Sequence, residues 1–205
     1  MRIGAKMDRV VLDKGDIQEV SPSELEKTLQ RALNTVVCDA LYPATLGLGL
    51  LYSVFALAHY LILKSPARTP MVLVASGSAL ILLVCAAIIR KRRAPVRFAH
   101  PLAFLLAFSC IANSAAHLYL VPEPQSSTNF SLVMIGVGSF FLSTRWYSLF
   151  AVSSFLIWLA LVYISPPSPV WMHFCFLQLS AYTLSAMMFS ARVRTFRRLE
   201  TLRLN

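Results

Sequence analysis

Three histidines occupy matching positions near the ends of apolar stretches. His59 and His117 each fall about four residues before the end of one, and His173 about four residues after the start of another. If the stretches are membrane helices, a rise of ~1.5 Å per residue puts all three roughly 6 Å inside one boundary. Neutral imidazole is a good ligand for zinc, copper and haem iron. Three imidazoles from three helices can build a tetrahedral metal site with an open position, and two can hold haem axially. Met71 and Met172 lie near the same level and Cys175 follows His173 by two residues, so soft sulfur would tilt the choice toward copper. His59, His117 and His173 are therefore candidate metal ligands, with a transition metal or haem as the cofactor class they would take, and a pocket resting on His117 is the reading preferred to a full three-ligand cage. The competing reading is an interfacial belt, because Tyr60, Tyr119, Tyr163 and Trp171 share that level. The fourth histidine, His100, precedes Pro101 at the opposite end of its stretch.

The other chemistry available in the apolar stretches is neutral. Their middles hold no Asp, Glu, Lys or Arg, the usual marks of ion paths and proton relays. This argues against an ion pump or a proton-coupled transporter. Leu106, Cys110, Asn113 and His117 recur at spacings of three and four and so share one helix face. Asn113 is costly toward lipid, which turns that face and His117 inward. Gln178 and Tyr182 form a second polar pair. The ligand-pocket candidates are His117, Asn113, His59, His173, Gln178 and Tyr182, weighed against the reading of such stripes as interhelical hydrogen bonding.

The elements that must carry these residues are membrane helices. The chain is 57% hydrophobic and only 14% charged, where soluble domains have roughly 45–50% and about 25%. Six stretches approach the ~20 residues that span a bilayer core: 43–63, 70–89, 101–120, 128–143, 146–164 and 169–191, the fourth being short. From residue 41 onward, eleven cations lie in the second and fourth connections and the tail, against Lys64 and Arg68 in the opposite loops. The net charge of +10 thus follows the positive-inside pattern of a multi-pass inner (plasma) membrane protein with both termini cytoplasmic, and not a nucleic-acid-binding face. The four cysteines show no CxxC spacing and read as small buried hydrophobes. Residues 1–40 are charged throughout, so no signal peptide is expected.

The expected organisation is a loose tail over 1–20, an amphipathic cytoplasmic helix over 21–41, a six-helix transmembrane domain over 42–191 and a cytoplasmic helical extension over 192–205. Ser21, Pro22 and Glu24 signal a helix start, with Val20 and Leu25 placed to staple it. Leu25, Leu29, Leu33, Val36, Val37 and Ala40 mark one face, fit to lie on the cytoplasmic leaflet or to dock under the bundle, and Pro43 bends or ends the helix. Small residues at Gly47, Gly49, Ser76, Gly77, Ser78, Gly136, Gly138 and Ser180 predict close helix approach.

Several stretches carry family likenesses. Ala99-His100-Pro101, Ala112-Asn113-Ser114, His117-Leu118-Tyr119, Ser127-Thr128-Asn129 and Ser143-Thr144-Arg145-Trp146 resemble the N-terminal six-helix sensor regions of bacterial multidomain signalling proteins. Such regions precede PAS, histidine-kinase or nucleotide-cyclase modules, and Arg198-Leu199-Glu200-Thr201-Leu202-Arg203 is similar to the helix leading to the output. The resemblance covers about residues 41–205. It implies an all-α sensory module that detects a ligand, metal or membrane state near the outer leaflet and transmits it through the sixth helix. It also implies a homodimer and a cytoplasmic signalling output domain in cis or in trans. The histidine placement is similar in logic to MHYT-type sensors, without their repeated motif. A small transporter or permease is the alternative. Val74-Ala75-Ser76-Gly77 resembles the Gly-x-Ser-Gly of rhomboid proteases, with Ser76 as nucleophile and His173 as base, but Val74 replaces the first glycine and no catalytic role is expected.

Overall fold

The computed structural model describes residues 22–91 and 95–204; the tail expected over 1–20, the Ser21 cap and the Val20–Leu25 staple lie outside the described residues. Every regular element among the described residues is helical. The helices are α1 (Pro22–Ile62), α2 (Arg68–Lys91), α3 (Ala99–Leu120), α4 (Thr128–Phe140), α5 (Thr144–Ile164) and α6 (Val170–Leu204). Short 3₁₀ turns, Val96–Phe98 and Pro124–Ser127, lead into α3 and α4.

Five of these, α1, α2, α3, α5 and α6, are long and apolar enough to cross a membrane. Their outward faces are apolar: Val54, Leu57, Leu73, Leu80, Val152, Leu156, Leu179 and Met187 are all exposed. A surface of this kind is untenable in water and suits lipid. The sixth expected span is the exception. α4 has 13 residues, about 20 Å of helix against a core of about 30 Å. The apolar run continues to Leu142, yet the helix stops because Phe141 turns extended (φ −74°, ψ 146°).

A second departure concerns the boundary expected at Pro43. α1 is one helix of 41 residues that passes through it, about 60 Å long. Proline removes the N–H that would bond the Asp39 carbonyl, and its ring crowds the turn before it. Packing on both sides outweighs that cost. Leu33, Val37, Leu41 and Thr45 recur every fourth residue and are at most 1% exposed, while Pro43 faces outward. The Thr45 hydroxyl also donates to the Leu41 carbonyl at 2.6 Å. The segment expected to form a separate amphipathic helix is the first half of α1, its Leu29–Leu41 face buried with Ala99, Ala103 and Phe189.

Helix directions follow from contacts at their ends. Glu26 near the start of α1 meets Arg197 near the end of α6, Oε1 to Nη2 at 3.7 Å. The two are antiparallel and close at one end of the bundle. Phe104 early in α3 packs on Trp146 and Phe150 early in α5, at ring separations of 5.5 and 6.1 Å. Trp158 late in α5 donates from Nε1 to the Ser127 hydroxyl, in the turn that connects the end of α3 to α4. α3 and α5 are therefore parallel, and α4 with Phe141–Ser143 returns the chain between them. α4 is held to α6 at short range: a Cβ on Gly138 would run into the Ser185 backbone. Gly49 lets α1 approach α2 closely too, there against the Leu83 side chain.

Candidate functional site

α1 and α3 end with the same register. His59 lies three residues before the end of α1 and His117 three before the end of α3. Their imidazole rings stack with centroids 5.6 Å apart and planes 22° apart. The Nδ1 atoms of both rings are buried without a hydrogen-bond partner. In a packed interior such groups are usually satisfied, which sets these two nitrogens apart from the polar atoms of the rest of the bundle.

That space is a cavity of about 330 Å³ at the junction of the first four helices. α1 contributes Tyr52 and Phe55 beside His59, α2 contributes Met71, α3 contributes Asn113 and Ser114 beside His117, and α4 contributes Asn129. Tyr52, Phe55 and His59 follow the helical three–four spacing, so they share one face of α1. On α3 the face drawn from Cys110, Asn113 and His117 does turn inward, with Cys110 and Asn113 each 5% exposed. Asn113 Nδ2 donates to the Ser78 hydroxyl of α2 at 2.8 Å, which fixes the amide at the cavity wall. Ser114 spends its hydroxyl on the Cys110 carbonyl of its own helix.

A second compartment of about 350 Å³ continues from the first. The two share Leu48, Leu51, Leu132 and Val133. The second has Ala103 and Ala107 of α3 as its floor, and Gly136 and Val137 of α4 on one wall. Together they form a groove between α1 and α4, polar where the histidines lie and apolar below.

The remaining candidates go elsewhere. His173 is exposed on α6, with Phe174 as its ring neighbour at 5.4 Å. α6 turns Phe174, Gln178, Ala181 and Ser185 inward, which puts position 173 on the outer face. The three-imidazole cage is thus corrected to a pair. Among the described residues no group of three or more His, Cys, Asp or Glu could hold a metal ion. The residues present do not fit the expected metal or haem, since two stacked imidazoles lack the third ligand and do not face each other across a centre. Ser76 and His173 are both exposed on separate helices, so the hydrolase pairing is not formed.

Gln178 and Tyr182 belong to a polar seam joining α4, α5 and α6. Gln178 is fully buried; its Nε2 donates to the Ser127 carbonyl at 2.9 Å and its Oε1 accepts from the Ser131 hydroxyl at 3.1 Å. The Tyr182 hydroxyl pairs with Ser154 at 2.8 Å. One turn on, Ser185 donates to the Met134 carbonyl and accepts from the Tyr147 hydroxyl. Every strong polar atom in the seam has a partner, so it is structural.

Tyr52, Phe55 and Asn129 were not among the pocket candidates drawn from sequence. The first two could have been found, since they share the three–four spacing of His59. Asn129 could not, because its place depends on how α4 packs. Comparison with protein-family models, with curated proteins and with solved structures finds no match, so the reading of this pocket rests on its own residues.

Proposed function

We propose that the chain is a membrane-embedded sensory module of the bacterial inner membrane, crossing six times with both ends in the cytoplasm. The positive-inside distribution supports that orientation. The parallel course of α3 and α5 supports a sixth crossing by α4 and the extended Phe141–Ser143. The two-histidine cavity then opens near the outer leaflet.

The single observation that carries the reading is the continuity of α1. One rigid helix bears Tyr52, Phe55 and His59 at the cavity and, some 50 Å away at ~1.5 Å per residue, Glu26 against Arg197 of α6. Transmission was expected to run through the sixth helix, but no α6 residue lines the cavity. α1 is the element in touch with both ends. A ligand that fills the cavity shifts α1 against α3 and α4, and a small tilt about the tight Gly49–Leu83 contact displaces its far end against α6. Such a two-state movement, biased by differential affinity, is what a homodimer with an output domain in cis or in trans would read.

Hydrogen–deuterium exchange of the full chain in lipid nanodiscs tests this. Leu48→Trp, which intrudes on both compartments, should change exchange at least threefold over residues 26–36 of α1 and 192–203 of α6. Changes confined to the cavity helices around residue 48 would contradict the sensory reading.

A further inference from the structure

We infer that the groove binds a neutral amphiphile with a flat ring head and a long apolar tail, the chemistry of an isoprenoid quinone. This deepens the sensory reading by naming the ligand class of the same pocket, and rests on that reading for its signalling meaning.

The head compartment is lined by four ring side chains, Tyr52, Phe55, His59 and His117. Flat faces of this kind pack best on a planar group. Hydrogen-bonding capacity lines the same compartment in the side chains of Asn113 and Asn129 and in the two imidazoles. Neutral imidazole presents one donor and one acceptor nitrogen, so the pair can serve a carbonyl oxygen or a hydroxyl. Among the described residues, no Lys, Arg, Asp or Glu lines either compartment. A phosphate or carboxylate head would be buried there without a counter-charge, which disfavours ordinary phospholipids and fatty acids.

The tail compartment supplies the other half. It is lined by aliphatic, glycine and phenylalanine positions alone, with small residues at Ala103, Ala107 and Gly136 leaving it open. From His59 down to Ala44 the groove follows α1 for about 22 Å, most of a bilayer core. Each compartment falls within the range of ~300–1,000 Å³ typical of ligand sites. Gly136 supplies a clean probe. A Cβ there would meet nothing within 4 Å, so alanine fits without a clash and replaces a weak helix former, and a leucine is the larger probe of the space beside it.

The full chain is purified in mild detergent, in wild-type form and as Gly136→Ala, Gly136→Leu and Asn113→Leu, each checked by circular dichroism and gel filtration. Each is equilibrated with ubiquinone or with its reduced form, and the retained quinone is counted after extraction. Competing arms contain oleyl alcohol, oleic acid or phosphatidylethanolamine. Wild type and Gly136→Ala should retain about one quinone per chain, and Gly136→Leu and Asn113→Leu at least tenfold less at equal quinone. Retention unchanged in folded Gly136→Leu, or displacement by an equal amount of any competing lipid, overturns the proposal. If quinone binds as expected while Leu48→Trp leaves the ends of α1 and α6 unchanged, the ligand assignment stands and the sensory reading falls. If the ends respond but no quinone is retained, the reverse holds.

Discussion

His59 and His173 have the same sequence credentials, an imidazole near the end of an apolar run, yet one meets His117 and the other faces outward. What separates them is helix phase. Asn113 declares the inward face of α3 and carries His117 with it, and nothing in α6 does the same for His173, because the inward mark there is Gln178, five residues away. The meeting of His59 with His117 depends on the register between two helices, which no spacing within one helix encodes. His173→Ala should therefore leave stability within about 0.5 kcal/mol of wild type and leave quinone retention unchanged. Gln178→Leu strips partners from the Ser127 carbonyl and Ser131. Hydrogen bonds between membrane helices contribute about 0.6 kcal/mol on average and up to ~1.7, so a loss of about 1–2 kcal/mol is expected in reversible denaturation of the chain in mixed micelles. His100 is buried at the other end of α3 with Phe141 stacked on it at 6.2 Å.

Helix positions were legible in the sequence, and helix ends and continuity were less so. Expected spans at 70–89, 101–120 and 146–164 match α2, α3 and α5 to within two residues at each end, since apolar run length sets them. Pro43 misleads because local propensity is outvoted by Leu33, Val37, Leu41 and Thr45 packing on either side of it. Pro43→Ala should thus preserve the fold and raise thermal stability, as the missing hydrogen bond to the Asp39 carbonyl returns; a loss of stability would show that the proline itself is required at this point of α1. The end of α4 misleads in the opposite sense, because Phe141 and Leu142 are buried and apolar yet non-helical. The two α4 glycines separate by environment. Gly138→Ala collides with Ser185 and should cost about 1–3 kcal/mol. Gly136→Ala enters open space and should be neutral or stabilising by up to ~1 kcal/mol. Equal effects in thermal unfolding would contradict the α4–α6 contact described above.

At the scale of the molecule, two long antiparallel helices define one pole of the bundle and a two-histidine cavity lies toward the other. The proposed six crossings with cytoplasmic ends make a direct prediction for single cysteines placed in a chain whose four native cysteines are replaced. Cysteines at Gln125 and Ser168 should react with a membrane-impermeant maleimide added outside intact cells, and cysteines at Lys27 and Arg198 only after permeabilisation. Reaction of Gln125 and Lys27 from the same side would break the topology. Occupancy of the groove is proposed to move the far end of α1 against α6. Pulsed electron–electron resonance between spin labels on the exposed positions 27 and 198, in that cysteine-replaced chain in nanodiscs, reads this separation directly. The account predicts that adding ubiquinone redistributes the 27–198 distance by several ångströms and that Gly136→Leu abolishes the response. A distance distribution identical with and without ubiquinone, in a chain shown to retain it, would contradict the account.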